Sequence, residues 1–241
     1  EETSRLLTID VSGDTKGEAD EGFTVTLSSP SVGSAVTTAT ADGTIQNDDA
    51  PSAAPTVVEV RVAAGADDAE ERASGKVSLS SSDLELIEDG SAQTVGIRFQ
   101  GIDVPQGAQI TGAYLRFQVD ETAVGATTLQ IRGEAADDTA AFTSGAFDIT
   151  SRPVTAALVD WSPPAWDTVG EAGAAQQTPN LAAVVQEIVD QGGWLAANAM
   201  AFVISGTGKR VAESFNGKAA AAPLLHIEYD TAEPSETDLF F

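Results

Sequence analysis

Hydrophobic and polar residues alternate in short runs along most of this chain. Leu7, Ile9 and Val11 are separated by Thr8 and Asp10, and Phe23, Val25 and Leu27 by Thr24 and Thr26. Val58, Val60 and Val62 alternate with Glu59 and Arg61, and Val95, Ile97 and Phe99 with Gly96 and Arg98. Ala113, Leu115, Phe117 and Val119 alternate with Tyr114, Arg116 and Gln118, and Leu129 and Ile131 with Gln130. A period of two sends one set of side chains to a core and the other to solvent, so each run predicts a half-buried strand. Thr44-Ile45, Val203 with Ser205, and Leu225 with Ile227 and Tyr229 add short strands. Turn formers such as Ser28-Ser29-Pro30 and Val104-Pro105-Gln106-Gly107-Ala108 lie between runs. The pattern predicts an all-β protein built as antiparallel sandwiches, with a jelly roll in its larger part.

One segment has a different period. Leu181, Val184, Val185 and Ile188 recur at helical spacing and predict one apolar stripe packed on the sandwich. Thr178 is placed to cap this helix, Pro179 suits its first turn, and Gly192-Gly193 ends it, giving a helix over 179–190.

The small, uncharged, proline-punctuated run Ala50-Pro51-Ser52-Ala53-Ala54-Pro55 reads as a linker. It separates a unit over 1–49 from a larger one over 56–230, and an acidic tail over 231–241 follows. The tail ends in Asp238-Leu239-Phe240-Phe241, which is expected to be loose or to dock on another surface. The chain opens on Glu1 rather than Met, which is expected of a processed product or an excised piece.

Charge narrows the functional classes. With 12 Lys and Arg against 37 Asp and Glu, the formal charge is −25. Nucleic acid is a poor partner for such a surface, because phosphate binding needs clustered cations. The chain has no cysteine, so disulfides, thiolate zinc sites and cysteine nucleophiles are excluded. No run approaches the ~20 apolar residues of a membrane-spanning helix. The acid excess suits high ionic strength, or neutralisation by multivalent cations.

The first unit carries a connected motif. Gly13-Asp14 leads to Glu18-Ala19-Asp20-Glu21-Gly22-Phe23-Thr24-Val25-Thr26-Leu27, and Gly43-Thr44-Ile45-Gln46-Asn47-Asp48-Asp49 closes the unit. Over roughly residues 5–49 this resembles the C-terminal half of a Calx-beta domain, an Ig-like calcium-binding sandwich. The resemblance implies calcium held by Asp14, Glu18, Asp20, Glu21, Asp48 and Asp49. The strands that precede this half in a complete domain are missing. Either the chain was cut from a longer polypeptide, or another copy supplies them by β-augmentation.

The second unit contains Val95-Gly96-Ile97-Arg98-Phe99, Val104 through Phe117, Val159-Asp160-Trp161-Ser162-Pro163-Pro164 and Ala222 through Tyr229. These segments resemble DNRLRE-type, carbohydrate-binding-module-like β-sandwich domains of secreted bacterial proteins. The resemblance implies a jelly-roll accessory domain, in some relatives one that binds polysaccharide. The name-giving string itself is absent.

Candidate chemistry follows from residue types. Asp67, Asp68, Glu70 and Glu71 form an acidic run expected to be a calcium loop, since calcium takes six to eight oxygens. Asp137-Asp138 is a smaller acidic pair, and Asp83 and Glu85 could join either. Arg98, Arg116 and Arg132 sit on the polar faces of three strands. As neighbours they would form a guanidinium ladder for an anionic polysaccharide, and the chain's own carboxylates compete for them. Trp161 and Trp166 flank Pro163-Pro164 and could stack on sugars, whereas core packing is the ordinary role of tryptophan. His226, the sole histidine, lies in a strand with no nucleophile motif nearby, so a structural role is expected. Gly206-Thr207-Gly208-Lys209-Arg210 lacks phosphate-loop spacing and reads as a hairpin turn.

The sequence therefore predicts a secreted or surface-anchored, non-catalytic protein stiffened by calcium. Its expected partners are neighbouring domains or copies of the same chain. The alternative is an accessory module binding an extracellular polysaccharide.

Overall fold

A computed structural model of the chain describes residue 8 and residues 19–47 and 54–231. The chain divides into two compact units, Glu1–Ala54 and Pro55–Phe241. The calcium candidates Asp14, Glu18, Asp48 and Asp49 lie outside the described residues, as does the run Leu7 to Val11 apart from Thr8.

In the first unit, β1 (Glu21–Thr26) pairs antiparallel with β2 (Thr40–Ile45). Phe23 faces Gly43, and its ring occupies the space a Cβ there would need. Thr24 donates to Asp42 at 2.7 Å across the hairpin.

The second unit is an all-β sandwich, with twelve strands among its described residues. In chain order they are β3 (Thr56–Arg61), β4 (Asp68–Arg72), β5 (Val77–Ser78), β6 (Asp83–Ile87), β7 (Gln93–Phe99) and β8 (Gln109–Arg116). There follow β9 (Val119–Glu121), β10 (Thr128–Gly133), β11 (Val159–Trp161), β12 (Met200–Thr207), β13 (Lys209–Glu213) and β14 (Leu224–Asp230). A six-stranded sheet has the order β11-β10-β12-β7-β4-β5; two three-stranded sheets have the orders β6-β13-β9 and β3-β14-β8. All three sheets send apolar side chains into one core, among them Leu84, Ile97, Phe99, Leu115, Phe202, Leu225 and Ile227.

Two expected continuous elements break because the chain changes sheets. The run from Ala113 to Val119 divides at Phe117-Gln118, with β8 in one sheet and β9 in another. The segment expected as a hairpin, Gly206-Thr207-Gly208, is a corner: β12 pairs with β10 and β7, and β13 with β6 and β9. Gly208 has φ +86°, and a Cβ there would meet the Ala126 carbonyl and Thr127, so glycine is required.

Helix α1 (Ala182–Val189) starts three residues later than expected. Thr178 does not cap it; the Thr178 hydroxyl accepts from Leu115 N–H at 3.0 Å. Asn180 Oδ1 accepts from Ala113 N–H and Ala182 N–H, and Gln186 Oε1 accepts from Ile110 N–H at 2.8 Å. The helix and its leader thus satisfy amide groups of β8, removing the unpaired edge that invites association. Val184, Val185, Ile188 and Val189 are buried. Gly133 lets the helix close on β10, since a Cβ there would lie 2.5 Å from Ile188. No helix among the described residues is long and apolar enough to cross a membrane.

A second short helix, α2 (Phe215–Lys218), is capped by the Ser214 hydroxyl, which accepts from Gly217 N–H.

Candidate functional site

The acidic run expected as a calcium loop is strand β4, and its carboxylates are buried. Asp67, which immediately precedes β4, accepts from Arg98 at 2.7 Å and Gln100 at 2.6 Å. Asp68 accepts from Phe215 N–H at 2.6 Å, at the start of α2. Glu70 accepts from Glu85 N–H and Gln93, both at 2.9 Å. Glu71 accepts from the amides of Ile149 and Thr150 and from the Thr150 hydroxyl. Extended backbone sends successive side chains to opposite faces, so the acids of this run reach different segments of the chain. Asp138 is likewise engaged, accepting from Ala199 N–H at 2.9 Å.

In the first unit, Asp20 Oδ1 accepts from Asn47 N–H at 3.0 Å, and Glu21 is exposed at the start of β1. Elsewhere, Asp83, Asp120 and Glu121 bring carboxylate oxygens within 4.8 Å of one another on the β6-β13-β9 sheet. Asp120 is pushed above the usual carboxylate range by burial, then by its acidic neighbours Asp83 and Glu121. Exposed acids gather this way without an ion, and no other feature there points to one.

Arg98, Arg116 and Arg132 do not line up as a ladder. Arg98 and Arg132 share the six-stranded sheet but are separated by β12, and Arg116 belongs to the β3-β14-β8 sheet. Arg98 is spent on Asp67 and on the Thr139 carbonyl at 2.7 Å. Arg132 donates to the carbonyls of Thr155 and Ala156. Trp161 and Trp166 form no exposed platform. They are 5% and 0% exposed and pack with Phe117, and the Trp166 indole N–H donates to the Ala175 carbonyl. Trp194 is also core.

A different surface gathers polar chemistry in the open. In the β3-β14-β8 sheet, Leu225 and Ile227 of β14 point to the core, so Leu224, His226 and Glu228 point outward. Register sets Glu59 of β3 and Tyr114 of β8 on either side of His226. It likewise sets Arg61 and Arg116 on either side of Leu224. Tyr114 and His226 stack face to face, with centroids 4.5 Å apart and planes 10° apart. His226 Nδ1 lies 3.0 Å from Glu59 and Nε2 3.1 Å from Glu228. A neutral imidazole donates to one carboxylate, and imidazolium donates to both. With both nitrogens facing carboxylates, neither is left to activate a hydroxyl, which a catalytic triad would require.

Two hollows lie along this face. One, of about 240 Å³, is lined by Tyr114, His226, Glu228, Gln177 and Asn180 among others. The other, of about 200 Å³, is lined by Arg61, Arg116, Gln118 and Leu224 among others. Arg61 also donates to the Ala222 carbonyl. Its guanidinium is pushed below its ordinary range by burial first and by Arg116 second, with Glu59 pulling it back up. Among the described residues the carboxylate ion-paired with Arg116 is Glu59, at 3.9 Å, a loose contact on a half-exposed pair. Two guanidinium groups thus crowd one hollow in a chain with three times as many acids as bases.

Of the residues singled out from sequence, Arg116 and His226 belong to this face. Its other members were visible as the polar positions of three alternating runs. What was invisible is that the first and last of the second unit's strands, β3 and β14, are neighbours.

Comparison with models of known protein families gives no match, and comparison with curated proteins gives none either.

Proposed function

We propose that the second unit is a non-catalytic binding module for an anionic polysaccharide outside the cell, and that the outer face of β3-β14-β8 is its binding surface. The observation that carries this reading is the Arg61–Arg116 pair lining an open hollow. Guanidinium recognises carboxylate or sulfate through paired, directional N–H donors. The stacked Tyr114–His226 pair beside it offers a flat wall for a sugar ring, and Gln177 and Asn180 add neutral polar groups on the rim. Uronate or sulfated sugars supply both the charge and the ring.

The burial of Asp67, Asp68, Glu70 and Glu71 in internal hydrogen bonds weighs against calcium stiffening as the role of this unit. Six of the eight carboxylate oxygens hold a protein donor that they would have to share or give up to reach an ion, which costs more than leaving water.

Electrophoresis through gels containing alginate or polygalacturonate tests the proposal. The native chain is expected to be retarded. Arg116→Ala is expected to weaken binding about tenfold, equivalent to roughly 1.4 kcal/mol, with an unchanged thermal midpoint. Retardation should also fall as salt rises. Equal mobility of the native chain with and without both polysaccharides would refute the assignment.

A further inference from the structure

We propose that the hollow under Phe147, on the six-stranded sheet, is a second binding site, one that takes a neutral saccharide ring. It stands independently of the Arg61–Arg116 face.

Phe147 is 49% exposed and has φ +61°. A residue with a Cβ is rarely found in that left-handed region, and a bulky aromatic less often still. The conformation is held from both sides. Phe147 N–H donates to the Gly75 carbonyl at 2.9 Å, and the ring occupies the space above Gly75. On the following residues, Glu71 takes the amides of Ile149 and Thr150 at 2.7 and 3.0 Å. Asp148 takes the amide and hydroxyl of Thr143 and the Arg152 guanidinium. A loop fixed this firmly presents an aromatic ring to solvent in an unfavourable backbone state. Such strain survives where the surrounding structure over-determines it, and it clusters at ligand sites.

Beside the ring is a hollow of about 280 Å³. Its walls include Thr94 and Ser205, whose hydroxyls are uncharged donors and acceptors, and Gln93 and Thr150, whose donors are spent on Glu70, the Glu85 carbonyl and Glu71 and whose oxygens can still accept. The two charged residues lining it are already committed. Glu71 is buried in the contacts above, and Arg72 pairs with Asp89 at 2.6 Å. The combination of an exposed aromatic face, hydroxyl and amide neighbours and no free charge suits a neutral sugar. The ring's apolar C–H face would lie on Phe147 and its hydroxyls on the polar wall. An anionic sugar would have to compete with Asp89 for Arg72, the one cation that lines the hollow among the described residues.

The test uses the full chain in gels containing soluble galactomannan, xyloglucan or laminarin, with alginate as the charged comparison. The native chain is expected to be retarded in at least one neutral gel. Phe147→Gly is expected to weaken that retardation at least about tenfold. Its thermal midpoint should stay the same or rise, because glycine accepts a positive φ. Phe147→Leu is expected to lose binding as well, since it keeps apolar bulk without the aromatic face. Arg116→Ala is expected to bind neutral gels like the native chain, so failure of the alginate arm leaves this result standing. Absence of retardation in every neutral gel would overturn the proposal. So would native-like binding by Phe147→Gly or Phe147→Leu. A concentration-dependent dimer in sedimentation that Phe147→Gly abolishes would overturn it in favour of self-association.

Discussion

Replacing Arg210 with alanine is expected to destabilise the second unit by about 3 kcal/mol or more, lowering the thermal midpoint by roughly 6–12 °C. Arg210 is 1% exposed, and among the described residues it forms no ion pair. Its guanidinium donates to the carbonyls of Pro163, Pro164, Gly125 and Lys209 and to the Thr127 hydroxyl, at 2.6 to 2.9 Å. Burial pushes its pKa down, yet a guanidinium keeps its proton under any ordinary condition. It therefore ties the corner between β12 and β13 to two separate loops. Truncation leaves the buried Pro163 carbonyl and Thr127 hydroxyl without this donor, and three part-buried carbonyls with water as the only substitute. Arg210→Lys is expected to recover little, because one ammonium cannot reach five acceptors spread over a planar fork. Thermal or urea unfolding measures both variants, and a loss below about 1 kcal/mol in Arg210→Ala would contradict this account.

The second large effect is with pH. Glu85 on β6 faces buried Glu70 on β4, and its pKa is raised to about 8. Burial is the first cause and the hydrogen bond and charge of Glu70 the next, with Asp83 and Asp89 adding to them. Asp68 is raised to about 6, chiefly by burial. Between about pH 4.5 and 8 the folded Glu85 holds a proton that the unfolded chain releases, so unfolding releases protons. Raising the pH then favours unfolding. The contribution is complete below the unfolded value and is lost as pH climbs through 8. Asp148 acts with the opposite sign. Burial pushes its carboxyl up, but the Thr143 amide and hydroxyl and the Arg152 guanidinium outweigh that and leave it low. Its contribution disappears only as pH falls through that lowered value. Stability is therefore expected to peak near about pH 5 and to decline toward pH 9 by roughly 1–2 kcal/mol, after discounting for the water around half-open Glu85. Midpoints measured at pH 5, 7 and 9 test this. Glu85→Gln, which keeps a neutral hydrogen-bonding group, should flatten the slope. A midpoint that rises from pH 5 to 9 would exclude it.

The parts of the fold legible in the sequence are those in which apolar residues alternate. Val95-Ile97-Phe99 and Leu225-Ile227-Tyr229 read as strands, and they are strands with those residues inside. Strand β4 could not be read this way, because Asp and Glu are depleted in strands and four of the five residues from Asp68 to Arg72 are charged. It is extended because donors far along the chain, from Glu85 to Phe215, meet its carboxylates one by one. The tryptophans were ambiguous for a related reason. A Trp beside two prolines looks exposed until the partner ring is known, and Phe117 is more than forty positions away. Arg116 was singled out as a polar strand position, but its companion Arg61 emerges only from the β3-β14-β8 order.

That order also decides how the second unit responds to force. Its first strand lies antiparallel to its last, with Thr56 opposite Tyr229 at one end of the ladder and Arg61 opposite Leu224 at the other. The chain therefore enters and leaves the unit at the same end of the same ladder. Tension applied through those two points loads one cross-strand pair at a time and opens the ladder like a zipper. If it were loaded in shear, all the pairs would resist together. A unit built this way yields early under load.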